Sequence, residues 1–307
     1  MSLRLRLFNL LLRISSYFGL SKLHRSENFI EDFRTHAQKS DSIIARFTRN
    51  YAHTLTTADS PCWSWVGEVG AAKRYILYFH GSGFCADLPA TFRYWADRMA
   101  SENDASVLLV DYPLAPEFPY PAALNACVDS YRWMVEDQKL DPAKIVIGGD
   151  SAGGNLVLAT LLRIKQESLP TPACAFALSP CLDLTLSSPS MLENEKSDVV
   201  SNLKLLKRLA PLYAPEGNFT DAMVSPMYGV CSGLPPLQLQ VGSGELLRDD
   251  SIGFYQKFKD ATHIDLVLWD GAPHCHQIFG FLPEAGLARR KIQQFIAAYT
   301  PIGRLET

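Results

Sequence analysis

Lys144-Ile145-Val146-Ile147-Gly148 runs directly into Gly149-Asp150-Ser151-Ala152-Gly153-Gly154, and this junction decides the fold. The first five residues read as a buried strand, and a helical pattern extends from Gly154 to Lys165. A Gly-x-Ser-x-Gly between strand and helix is a nucleophile elbow. The turn is so tight that the serine backbone is strained, and Gly149, Asp150 and Gly153 are the supporting neighbours that keep it free of clashes. The elbow lifts the Ser151 hydroxyl to the start of a helix, where backbone N–H groups lack intrahelical partners. The plainer alternative is a glycine-rich turn with an incidental serine, and the strand–turn–helix setting weighs against it.

Working outward, buried strands are expected at 74–79, 106–111, 144–148, 173–178, 236–241 and 264–269. Helical patterns lie between most of them, at Phe92-Trp95-Met99, from Ala122 to Val135 and from Gly154 to Lys165. Apolar strands alternating with helices predict an α/β fold with a mostly parallel sheet covered on both faces. Residues 1–52 read as helical and without strands, and 183–222 as a polar helical insertion with a Leu/Lys-rich piece at 203–210. Such an insertion at the C-terminal edge of a parallel sheet sits where ligands bind. The expected body is therefore 53–182 with 223–307, roofed by 1–52 and 183–222.

The opening MSLRLRLFNLLLRISSYFGL has three readings. It resembles a signal peptide, but Arg13 interrupts the apolar stretch and no small-residue cleavage site follows promptly. A basic amphipathic helix fits better, either packed on the body or making weak contact with a membrane surface through residues 1–20.

Composition narrows the partners. The 29 Lys and Arg against 32 Asp and Glu give a net charge of −3, so no basic field draws in nucleic acid. No run of about 18 apolar residues indicates a spanning helix. Seven scattered cysteines without CxxC spacing suit reduced thiols and a cytoplasmic protein rather than a disulfide framework.

His80-Gly81-Ser82-Gly83-Phe84 follows the first of these strands. Acyl transfer develops an oxyanion, and a loop of small residues lets backbone N–H groups approach it. The N–H groups of Ser82, Gly83 and Ala152 are the candidate donors. Gly81 through Ala86 also fits a dinucleotide fingerprint, but Asp111 stands 30 residues beyond Gly81 rather than about 20, and the serine elbow would go unexplained. The base a serine needs is best supplied by His274, in the loop after the last strand, with His276 as rival. A metal at Cys275/His276 lacks further ligands nearby. The orienting acid is Glu245, after the preceding strand, with Asp249 as the alternative.

Taken together, HGSGF at 80–84, DYPLAPEFPYPAAL at 111–124, GDSAGGNL at 149–156, SPCLDLT at 179–185 and LPPLQLQVGSGELLRDDS at 234–251 resemble the hormone-sensitive-lipase-like branch of the α/β-hydrolases, which includes bacterial carboxylesterases. The resemblance covers about Tyr75 to Tyr299. It implies an α/β-hydrolase fold with a helical cap built from the two helical regions, and a triad of Ser151, Glu245 and His274. This chain carries Glu245 where the family usually has aspartate, Ser82 where it has glycine and Pro113 where arginine is common. A serine at position 82 is strained if its φ is positive. The resemblance implies ester hydrolysis with no cofactor and no metal, and short- to medium-chain acyl esters are the expected substrates because a capped pocket is enclosed. The alternatives are a silent small-molecule receptor on the same fold, or a lipase, deacetylase or amidase. A homodimer through an edge strand and the C-terminal helix is compatible with the sequence but not demanded by it.

Overall fold

The computed structural model describes residues 1–18, 23–47, 55–57 and 63–301. The end of the helical pattern beyond Phe47, Cys62 and the last six residues lie outside that set. The six expected strands form within two residues of their anticipated limits, as β3 (Arg74–Phe79), β4 (Ala105–Val110), β5 (Ile145–Asp150), β6 (Cys174–Leu178), β7 (Leu237–Gly242) and β8 (Ile264–Trp269). All six run parallel. Two shorter strands, β1 (Leu55–Thr57) and β2 (Trp63–Val66), extend the sheet antiparallel beside β4. Among the described residues the eight strands are ordered β1-β2-β4-β3-β5-β6-β7-β8. The sequence reading did not anticipate β1 and β2, because three or four residues are too few to display a period of two.

The α-helices among the described residues are α1 (Leu3–Phe18), α2 (Phe29–Phe47), α3 (Pro89–Asn103), α4 (Ala122–Arg132), α5 (Ala152–Gln166), α6 (Ser190–Glu193), α7 (Leu203–Tyr213), α8 (Arg248–Phe258) and α9 (Pro283–Tyr299). Strand alternation sends the side chains of β3 to both faces. Leu77 and Phe79 join the core beneath α4, α5 and α8, whereas Ile76 and Tyr78 join Trp95 of α3 and Ile292 of α9. Each such fully buried side chain contributes about 1.5–3 kcal/mol relative to exposure. The sheet needs cover on both sides, which is why its strands are almost continuously apolar.

The 183–222 insertion is less helical than its sequence suggested. Its regular structure is confined to α6 and α7, and the rest is turns. Short polar side chains there satisfy the backbone in place of a helix: Asp183 accepts from the N–H of Thr185, and Asp198 from those of Val200 and Ser201.

Three side chains fasten α2 and the turn before it. Arg34 of α2 pairs bidentately with Glu117 and donates to the carbonyls of Cys85 and Ala115. This guanidinium serves the 111–124 block, which carries Pro113 where arginine is common. Arg208 of α7 donates to the carbonyls of His24 and Ser26 and lies 4.1 Å over the Phe29 ring. Asp41 of α2, buried, accepts from the N–H groups of Ala90 and Thr91. It thus caps α3, whose own N-cap residue Leu88 offers no side-chain acceptor. Replacing Asp41 with Ala is expected to cost about 1–2 kcal/mol, read as a Tm lowered by a few degrees in a thermal melt.

Candidate active site

Ser151 ends the turn after β5 with φ 53° and ψ −118°, a region that costs a non-glycine residue about 1–3 kcal/mol. The surroundings over-determine it. Its N–H donates to the Leu178 carbonyl at 2.8 Å, and its own carbonyl accepts from the N–H groups of Asn155 and Cys181. A Cβ on Gly153 would run into the carbonyls of Phe79 and His80, and one on Gly149 would meet the carbonyl of Gly153. A Cβ on Gly81 would strike the Asp150 carboxylate. These glycines are what allow the elbow to press against the end of β3.

The loop after β8 brings His274 onto the elbow. The Ser151 hydroxyl donates to His274 Nε2 at 2.9 Å, and Nδ1–H donates to Glu245 Oε2 at 2.8 Å. Glu245, only 1 % exposed, keeps its other oxygen, Oε1, engaged with the Ser179 hydroxyl and the Gly242 N–H. Ser179, which the sequence shows only as part of the SPCLDLT block, is a junction here: its oxygen also accepts from the Cys275 N–H. The signal available in the sequence was its place immediately after β6, on the edge that bears the elbow. Asp249 does not reach the histidine. It sits in the first turn of α8, paired with Arg248 and accepting from the Ser190 N–H.

Burial alone would favour a neutral His274, but the Glu245 carboxylate bonded to its Nδ1 favours the cation, so its pKa lies above the ordinary value of 6.5. Burial pushes the Cys275 thiol up to about 12, so at neutral pH the standing charge beside the ring is that of Glu245. Asp150 is pushed up to about 6 by burial, with the Tyr78 hydroxyl donating to it in partial opposition.

The other histidines divide plainly. His80 is buried between Phe92 and Tyr112, stacks on Tyr112 at 4.2 Å, and is lowered to about 4 by burial. It braces the loop as a neutral ring. His276 is likewise buried and lowered to about 4, with neither ring nitrogen bonded, so it is no rival to His274. Among the described residues, one group has the composition of a metal site: His80, Asp87 and Asp111, whose ligating atoms lie within 4.8 Å of one another.

In the loop after β3, Ser82, Gly83 and Phe84 take successive positive φ values of 77°, 62° and 62°. Ser82 therefore does occupy the conformation that penalises a side chain. At Gly83 a Cβ would stand 2.7 Å from Leu209 of α7, and the Phe84 ring stacks on Tyr213 of α7 at 3.8 Å. The insertion thus rests directly on this loop. Ala152, first in α5, has no intrahelical acceptor for its N–H. Ser82, Gly83, Ser151 and His274 all border one largely apolar cavity of about 370 Å3, walled by residues such as Phe33 of α2, Leu205 of α7, Phe279 and Leu12 of α1.

Residues 76–278 match the family described as the α/β-hydrolase fold. Over 228 residues, 73% of this chain and 75% of the relative, the sequence is 38% identical to an esterase of Acinetobacter venetianus. It is 31% identical over 241 residues to an acetyl-hydrolase of Streptomyces hygroscopicus, covering 78% and 80% of the two chains. The solved structure of a hormone-sensitive lipase from a metagenome library superposes with a TM-score of 0.86 at 31% identity, over 98% of this chain and 99% of the other. This chain belongs to the hormone-sensitive-lipase-like α/β-hydrolases. It is a carboxylic ester hydrolase. The structure of EstE5 soaked with ethyl alcohol also superposes on the enzyme, with a TM-score of 0.89 at 29% identity, over 98% and 100% of the two chains.

Ser179→Ala is expected to leave a Glu245 oxygen and the Cys275 N–H each short of a partner, costing about 1–3 kcal/mol. Denaturant unfolding, read as a fall in midpoint at constant slope, checks this.

Proposed function

We propose that the enzyme hydrolyses short- to medium-chain acyl esters through an acyl-enzyme on Ser151. The observation that carries this reading is the unbroken hydrogen-bond chain from Glu245 through His274 to the Ser151 hydroxyl. Ser151 Oγ attacks the ester carbonyl while His274 Nε2 takes its proton. Glu245 fixes the tautomer and stabilises the imidazolium. The oxyanion forms among the N–H groups of Ser82, Gly83 and Ala152, a contribution of about 3–4 kcal/mol per well-placed donor. The protonated His274 then passes its proton to the departing alcohol. Water, deprotonated by the same nitrogen, attacks the acyl carbon and restores Ser151.

In this reading α2, α7 and the segments beside them form a cap that excludes bulk water from the cavity. About 370 Å3 lies near the low end for ligand pockets, which supports a small acyl group rather than an extended chain. Purified enzyme should hydrolyse p-nitrophenyl acetate or butyrate with the highest kcat/KM, and Ser151→Ala should reduce it to background without altering the fold by circular dichroism. Highest activity on palmitate would overturn the chain-length reading, and activity retained in Ser151→Ala would overturn the nucleophile.

The base works only as the neutral ring. Because the His274 pKa is raised, kcat/KM should increase with pH through a midpoint above 6.5 and be lost below it. Glu245→Gln should move that midpoint downward and cost about 10³–10⁴-fold in kcat. Asp249→Asn should leave both within a few fold.

A further inference from the structure

We propose that α1 (Leu3–Phe18) docks the enzyme on an anionic lipid surface. The helix presents two apolar faces, and among the described residues the body of the protein uses only one. On that face Leu5 is buried against Leu282 and Ala285, Phe8 packs edge-on against Phe279 and Phe281, and Asn9 donates to the Gly271 carbonyl. Ser2, just ahead of the helix, bonds to Glu284.

The opposite face is formed by Leu3, Leu7, Leu10, Leu11 and Ile14, each 51–72 % exposed. At about 100° per residue these positions fall in an arc of about 100°. Arg4 borders that arc on one side, and Arg6 and Arg13 border it on the other. The helix contains no acidic residue. Five large aliphatic side chains in one continuous stripe mark an interaction surface. A basic rim on both sides of such a stripe is the pattern of a helix lying in the headgroup plane. The surface continues beyond the helix, since Arg4 lines a shallow depression with the exposed Phe281 and Leu287 and with Arg290.

Charge selects the occupant. A second copy of α1 packed on the same stripe would set arginine rims against arginine rims with no acid on either helix, whereas phosphatidylglycerol or phosphatidylserine headgroups complement both rims. Among the described residues no helix is long and apolar enough to cross a membrane, so the contact is with the surface. Leu12, on the docked side of α1, walls the cavity that holds Ser151 and His274. Docking would therefore place that cavity one helix diameter from the lipid, where esters dissolved in the bilayer are concentrated. The docking follows from the faces of α1 and is independent of the triad. Only the delivery of substrate rests on the proposed function.

Co-sedimentation of the full-length protein with sonicated vesicles tests this. Vesicles with 30 mol % phosphatidylglycerol in phosphatidylcholine should retain it at least tenfold better than pure phosphatidylcholine, with the excess lost at high salt. A Leu7→Glu/Leu11→Glu variant should lose retention while hydrolysing p-nitrophenyl acetate at the original rate. Arg4→Gln/Arg6→Gln should lose the preference for anionic vesicles, each charge being worth roughly fivefold. Wild-type protein that binds neither vesicle overturns the proposal. A dimer by light scattering that the Leu7→Glu/Leu11→Glu variant converts to monomer, with no vesicle binding, overturns it in favour of a second copy.

Discussion

The structure depends on one strained residue. At Ser151 the chain adopts a backbone conformation that an L-residue avoids, and it does so only because Gly149 and Gly153 let the elbow press against the carbonyls of Phe79 and His80. The same close approach sets where the loop after β3 lies. The candidate nucleophile and the candidate oxyanion donors are thus positioned by one contact between two parallel strands, rather than by two independent loops. Tyr112 reinforces the junction by donating to the His80 carbonyl at 2.7 Å. The cost of the strain is distributed over a sheet packed on both faces, which has the cohesion to absorb it.

A buried carboxylate beside an imidazole needs other donors, or its desolvation would outweigh its attraction for the ring. Glu245 has them in Ser179 and Gly242, drawn from the ends of two neighbouring strands. The longer glutamate side chain is accommodated because its loop turns directly after β7: a Cβ at Gly242 would meet both the Ala272 carbonyl and the Glu245 carboxylate. The substitution of glutamate for the usual aspartate is therefore matched by the absence of a side chain three residues earlier.

What the sequence disclosed follows from what is local. The strand–turn–helix at 144–166, the strands of the parallel sheet, and Ser151, His274 and Glu245 were legible because each belongs to a short pattern with a fixed place relative to a strand end. The condition attached to Ser82, strain if its φ is positive, is met at 77°. β1 and β2 were not legible, because so short an edge strand acquires its character from its partner. Ser179 and Asp41 escaped because their work is long-range: one reaches 66 residues to Glu245, the other 50 residues to the start of α3. The 183–222 insertion was overread as helix, since Leu and Lys at 203–210 set the tone for neighbours whose Asp and Ser side chains compete for the backbone.

Arg208 has a consequence for how such enzymes diversify. By gripping the carbonyls of His24 and Ser26 from a helix nearly two hundred residues further along the chain, it makes the two segments above the cavity a matched pair. Grafting either one from a relative would strand a guanidinium or a set of carbonyls against a foreign surface. The two stretches are therefore structurally coupled in this chain, and a chimera that exchanges only one of them inherits a mismatch.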